Sequence, residues 1–461
     1  MGVGLTGLIT YTYFFIASHV LSKQDYGEIA VLWSAVFITV STLYRPIDQL
    51  LSRHISERLV LGQPVNEPMW VAARIQLGLG LIFATVALLL RDPIQNHLLN
   101  GNVFLYWVFF SAVLFYAASY FARGFLAGYR RFGLFTALIL SESFFRTIFA
   151  VIVAVGLASG QHVVSLGIVA APSLSLLVVP LAFARRSQQQ ARAASDPAAP
   201  GREAEEAAGI SSEEPGGDSG AAPEFSLRHG TGFAAAVLLI MFSEQTFLNA
   251  GPLIIHALQG AAAAGFIFNI LMIARAPLQL FQAVSTSILP HLTTLHHSNE
   301  PGSEEEFRKS IRLVVRAIAA FAGVVALAVL IAGPKLMEIA WSDKGAVHYD
   351  RVALLLVTAG MGLYLTAVTI NQACLAQGKV RRASARWIAC AVFFVGWCFL
   401  PLISDEFRRV EIGFALTAAL LLGLLYLVYR STGTERLEDV PDPGSTEELE
   451  AQFLAAEEGS P

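Results

Sequence analysis

Four arginines, Arg74, Arg146, Arg275 and Arg316, stand inside otherwise apolar stretches of this chain, and two of those stretches also carry polar residues at helical spacing. A guanidinium in hydrocarbon costs about 2.5–3.5 kcal/mol on insertion scales, so each calls for a partner or a role. Glu142 and Arg146 lie four residues apart, on one face of a helix and able to pair. That spacing serves an ion pair holding helices together, or an Arg146 turned towards a cavity with Glu142 orienting it or exchanging protons. Arg275, Gln279, Gln282 and Thr286 follow at spacings of four, three and four and form one polar stripe. Pro277 and Pro290 interrupt backbone bonding nearby, as helices lining a cavity tolerate. A guanidinium there can bind two phosphate oxygens at once, which an ammonium does less well. The other reading is hydrogen bonding between helices by the glutamines, with Arg275 paired to a neighbouring acid.

Glu244, Gln245 and Asn249 precede Gly251-Pro252, a kink signal. Glu244 is the candidate for holding a coupling ion, H⁺ or Na⁺, with Glu142 beside it. Pairing of Glu244 with Arg275 or Arg146 competes with that reading. Arg45, Pro46 and Asp48 close the second apolar stretch and read as an interfacial cluster, as do Arg123 and Arg130-Arg131. His291, His296 and His297 crowd together, but no Cys, Asp or Glu completes a metal site. There is no GxxxxGK[ST] phosphate loop, GxSxG elbow or HExxH helix. The three cysteines, Cys374, Cys390 and Cys398, fall in or beside apolar segments and form no CxxC pair. No catalytic residue, metal or cofactor is expected, and no nucleic-acid partner.

The elements that must position these side chains are long apolar helices. Of the 461 residues 55% are hydrophobic and only 14% charged. Twelve stretches of about 18–25 residues each have the length that crosses a ~30 Å hydrocarbon layer. They fall at 3–21, 28–46, 70–90, 103–122, 133–158, 163–184, 231–256, 262–290, 311–333, 350–372, 385–403 and 410–430. The opening residues lack a basic n-region and a cleavage site, so they read as a retained first span. The expected fold is an all-α polytopic membrane protein with lobes at 1–184 and 229–430. A linker at 185–228 and an acidic tail at 431–461 have too few large apolar residues to order themselves. "EEEFRKSIRLVVR" reads as an amphipathic helix lying at the interface before the ninth span.

The net charge of −4 hides a basic body. Without residues 193–228 and 434–461, where the acids crowd, 18 acids face 28 Lys and Arg, which suits anionic headgroups. Alternate loops collect 20 of the 31 Lys and Arg on one side and 7 on the other. By the positive-inside rule both termini and the linker are cytoplasmic, in a multi-pass protein of the plasma (inner) membrane.

The halves read as a diverged repeat. "HVLSKQDYGEIAVL" matches "HALQGAAAAGFIFNI" after the seventh span, and "RGFLAGYRR" matches "ACLAQGKVRR" leaving the tenth. "LSKQDYGEIAVLWS", "YFARGFLAGYRRFGLF", "SESFFR" and "ARAPLQLFQAVSTSILPHLTTL" resemble lipid-linked oligosaccharide flippases of the Wzx type, in the MOP superfamily that also holds the MATE exporters. The resemblance implies two six-helix lobes about a pseudo-twofold axis and a central cavity opening alternately to each side. It implies an undecaprenyl-pyrophosphate-linked oligosaccharide as substrate, and Arg45 or Arg53 would form the cytoplasmic entry for its pyrophosphate. Arg146, Arg275, Gln279 and Gln282 would then face the headgroup, and membrane lipids and a glycan polymerase or glycosyltransferase would be partners. The related lipid II flippases usually carry two extra C-terminal helices, and no such pair is expected within these residues. It also lacks the acidic residue that many MATE exporters hold in the first span.

A sugar headgroup cannot cross hydrocarbon unaided, because each desolvated hydroxyl costs several kcal/mol. A flippase for cell-surface polysaccharide biosynthesis is therefore the first expectation. A cation-coupled multidrug exporter is the alternative, though such cavities need carboxylates and aromatic faces and the spans hold few acids. A membrane-embedded glycosyltransferase or polymerase comes third, since the outer loops are short.

Overall fold

The computed structural model describes residues 2–180, 227–275, 303–340 and 350–431, and these contain helices but no strand. The first six helices are α1 (Gly2–Val20), α2 (Lys23–Val60), α3 (Asn66–Leu89), α4 (Val103–Gly128), α5 (Phe132–Ala154) and α6 (Gln161–Ser175). Then come α7 (Leu227–Gln259), α8 (Ala261–Arg275), α9 (Ser303–Ala340), α10 (Arg351–Ala376), α11 (Val380–Phe399) and α12 (Glu406–Arg430). Among the described residues nine helices are long and apolar enough to cross a membrane. Large apolar side chains such as Leu77, Leu81, Val324, Leu327 and Ile331 are exposed, as lipid-facing residues are. The chain is an integral membrane protein.

The pairings repeat. In the first half α1 packs on α5, α3 on α4, α4 on α6 and α5 on α6; six helices later α7 packs on α11, α9 on α10, α10 on α12 and α11 on α12. The turns repeat as well. After α4, amides of Tyr129, Arg130 and Arg131 return to the carbonyls of Phe125, Ala127 and Leu126; after α10, those of Gln377, Gly378 and Lys379 return to Ala373, Leu375 and Cys374. Both are Schellman turns with a left-handed residue, Arg130 (φ 54°) and Gly378 (φ 72°).

Helix ends define two sides. On the near side, where α1 and α7 begin, the Ser56 hydroxyl near the end of α2 bonds the Gly128 carbonyl, and Lys379 bonds the carbonyls of Tyr429 and Ser431. On the far side α2, α4, α10 and α12 start with side-chain caps from Ser22, Asn102, Asp350 and Asp405.

Two spans depart from the sequence expectation. The second does not close at Arg45-Pro46-Asp48: α2 continues through Pro46 to Val60. Ile47, Leu51 and Ile55 keep its buried stripe running at four-residue spacing, and Gly124 and Gly128 of α4 let that stretch approach closely. The residues from Ser303 do not form a separate interfacial helix, because α9 is continuous to Ala340. The eighth span is described only to Arg275, so Gln279, Gln282, Thr286 and the histidines at 291, 296 and 297 lie outside the described residues.

Candidate functional site

A cavity of about 560 Å³ lies between the two sets of helices, with α1, α2, α4 and α5 on one wall and α7, α8 and α10 on the other. Its lining comes from the middle and near-side portions of these helices. Four arginines (Arg45, Arg123, Arg146, Arg275) and three carboxylates (Asp48, Glu142, Glu244) reach it. The structure thus gathers Arg45, Arg146, Arg275, Glu142 and Glu244 from four helices around one space.

The first wall carries a closed ion cluster. Glu142 accepts from Arg146 Nη2 at 2.9 Å, Arg123 Nη2 at 2.5 Å, the Tyr116 hydroxyl at 2.9 Å and the Ser119 hydroxyl at 3.3 Å. Glu142 and Arg146 do pair, but Arg123 joins them and makes an Arg–Glu–Arg triad. Arg146 is only 2% exposed, and its guanidinium sits 4.4 Å from the Trp33 ring centre; that of Arg123 sits 4.4 Å from Tyr120. With four donors on one carboxylate, no oxygen of Glu142 is left to take a proton without losing a bond.

The second wall is looser. Arg275 donates Nη1 to Asn249 Oδ1 at 3.2 Å, and Asn249 donates to Gln245 Oε1 at 3.1 Å. The Arg275 Nε is buried without a partner among the described residues. Glu244 accepts from the Tyr364 hydroxyl at 2.5 Å. Arg45 has no hydrogen-bonded partner among the described residues, and Glu244 and Asp48 lie within its coulombic range. Tyr116 and Tyr364 precede Arg130 and Gly378 by the same number of residues, so corresponding positions of the two halves each present a hydroxyl to a carboxylate.

Three lining residues escaped the sequence reading. Arg123 and Asp48 read as interfacial only because the length of α2 and the rotation of α4 are not visible in hydropathy. Tyr364 has no local signal that sets it apart from a core aromatic, and only the register of the two turns, Arg130 with Gly378, puts it opposite Tyr116.

Beneath the cavity the far side is shut. Phe14 packs on Trp33 and Phe268 with ring centres 5.0 and 4.8 Å apart. Gly27 of α2 lies against the backbone of Ala261, and Gly265 of α8 against Gly27. The Tyr26 hydroxyl donates to Asn269 Oδ1 at 2.5 Å.

No protein-family model and no curated protein matches the sequence. Solved structures do. An inward-facing multidrug resistance MATE family transporter of the MOP superfamily aligns with TM-score 0.63 and 11% identity over 93% of this chain and 94% of its own. The MATE multidrug transporter DinF-BH, solved as a complex, aligns with TM-score 0.62 and 13% identity over the same shares. MATE in a bent conformation gives 0.60 and 12% over 93% and 92%. Across nearly its whole length, the chain has the fold of the MATE transporters of the MOP superfamily.

Proposed function

We propose that the chain is an exporter working by alternating access, and that its cargo is an undecaprenyl-pyrophosphate-linked oligosaccharide moved from the cytoplasmic to the outer leaflet. The near side is then cytoplasmic, as the positive-inside count requires, and the described state is open inwards. The observation that carries the reading is the pair of guanidiniums, Arg45 and Arg275, that reach the cavity without a carboxylate bonded to either among the described residues. A diphosphate offers each a bidentate acceptor. Trp33, Phe37, Tyr116 and Tyr120 supply flat faces, and Gln245 and Asn249 amide groups, to replace water around a sugar. A glycan polymerase or glycosyltransferase would be a partner at either face.

A second reading, a cation-coupled multidrug exporter, is favoured by Glu244, which accepts a bond from a tyrosine hydroxyl and from no guanidinium among the described residues. An organic cation or a coupling H⁺ or Na⁺ would bind there rather than at Glu142, which two guanidiniums occupy.

The test is leaflet translocation in proteoliposomes, with a fluorescent undecaprenyl-pyrophosphate oligosaccharide and an external quencher, and a fluorescent organic cation in parallel. The expected result is protein-dependent exposure of the glycolipid, lost in Arg45→Gln and Arg275→Gln. Movement of the cation alone, lost in Glu244→Gln, would replace the first reading with the second.

A further inference from the structure

The far-side junction contains a buried acid and a buried imidazole that the cavity does not use. Glu28 follows Gly27 on α2 and is 8% exposed; His256, near the end of α7, is 6% exposed. Glu28 Oε1 accepts from Asn100 Nδ2 at 3.2 Å and Gln24 Nε2 at 3.3 Å. Its Oε2 is buried with no partner among the described residues, and so is His256 Nδ1. The main chain of His97 lies beside the imidazole, and Glu28 lies in its coulombic range. It sits where α7 packs against α2, beside the contacts of Gly27 with Ala261 and Gly265 that shut the far side.

We propose that His256, with Glu28, is a proton-binding site whose occupancy controls opening of the far-side junction. This rests on the alternating-access reading but not on the identity of the cargo. While the junction is shut, Nδ1 of His256 is buried and meets no partner among the described residues. A second proton would therefore create a buried cation with an unbonded N–H, which the shut junction disfavours. When the junction parts, water solvates the ring and the proton binds freely. Proton uptake from the far side and opening are thereby linked, and acid favours the parted state. Other charged groups stand at this end on the elements packed against α7: Lys23 and Asp25 open α2, and on α12 Arg408 is paired with Asp350 and Glu411 while Arg409 bonds the carbonyls of Cys398 and Ile403. His97 is exposed, and Glu406 of α12 is engaged by Gln259. The arginines of α11, Arg381, Arg382 and Arg386, lie at its near-side end.

The experiment uses the full chain in proteoliposomes, with spin labels at Ser22→Cys and Ala262→Cys, both exposed beside the junction, and the three native cysteines replaced by alanine. Pulsed electron paramagnetic resonance reads the distance distribution between pH 8 and pH 5. The expected result is a growing long-distance population as pH falls, roughly tenfold per unit at most below the imidazole's ordinary value near 6.5. His256→Gln, which hydrogen-bonds but cannot charge, should stay short at every pH. Glu28→Gln should open at higher pH than wild type, because no carboxylate attracts the proton-bearing ring in the shut state while the cation's burial is unchanged. A pH response that survives in His256→Gln overturns the proposal. The readout needs no substrate, so a failed glycolipid assay together with a His256-dependent distance change rejects the cargo and keeps the gate.

Discussion

Gly27→Ala should hold the far side apart. A Cβ at Gly27 would run into the carbonyl of Ala261 and stand 2.9 Å from the amide nitrogen of Ala262. Both are backbone atoms, so no rotamer can move aside, and α2 and α8 must separate. Overpacking of this kind costs about 1–3 kcal/mol, all of it in the shut state, because the parted state has no Ala261 beside Gly27. That is roughly a 5- to 150-fold shift of the equilibrium towards the parted state. The assay is the spin-label distance between positions 22 and 262, measured at one pH for wild type and variant, with Gly423→Ala as a control whose added methyl meets open space. A softer effect is expected for Gly265→Ala, whose methyl would meet the Gly27 Cα at 3.1 Å. An unchanged distance distribution in monodisperse Gly27→Ala protein would refute the reasoning, since it would mean that the two backbones do not meet as described.

Two further outcomes concern charge. Glu142→Ala leaves Arg123 and Arg146, 13% and 2% exposed, without their shared carboxylate. Stranding buried charge this way costs about 3–5 kcal/mol, so thermal unfolding in detergent should fall well below wild type, and an unmoved melting temperature would count against the triad. On the far side the Arg408 guanidinium bonded to Asp350 holds that carboxyl below the usual carboxylate range. Its contribution is therefore present above the ordinary aspartate value near 3.9 and is lost as pH falls through the lower folded value. Asp350 is 47% exposed, so Asp350→Asn, which keeps the cap, should cost under about 1 kcal/mol at neutral pH. The difference from wild type should vanish in acid; a difference that persists there assigns it to something other than the ion pair.

Much of the architecture can be read from residue order because lipid imposes one rule, that every span be apolar for about twenty residues. Glu142 and Arg146 announce their pairing because both lie on one helix, where spacing fixes distance. The third member of their cluster does not, because Arg123 comes from another helix and its direction depends on rotation about the α4 axis. Arg45 illustrates a different obstacle. Three polar or helix-breaking residues, Arg45, Pro46 and Asp48, lower the local hydropathy and imitate a helix end, while the buried series Ile47, Leu51, Ile55 continues beneath them. What keeps the helix intact there is the packing of α4, which no local window contains.

The paired Schellman turns reach one backbone shape by opposite thermodynamic routes. Gly378 adopts its positive φ without steric cost in the folded protein, but it gives the unfolded chain more freedom to lose. Arg130 restrains the unfolded chain as any side-chain-bearing residue does and carries its burden in the native state, where a left-handed residue with a Cβ costs about 1–2 kcal/mol. The two halves of the molecule therefore share a shape at this point without sharing the origin of its stability, and heating or denaturant would weigh on the two turns through different states of the chain.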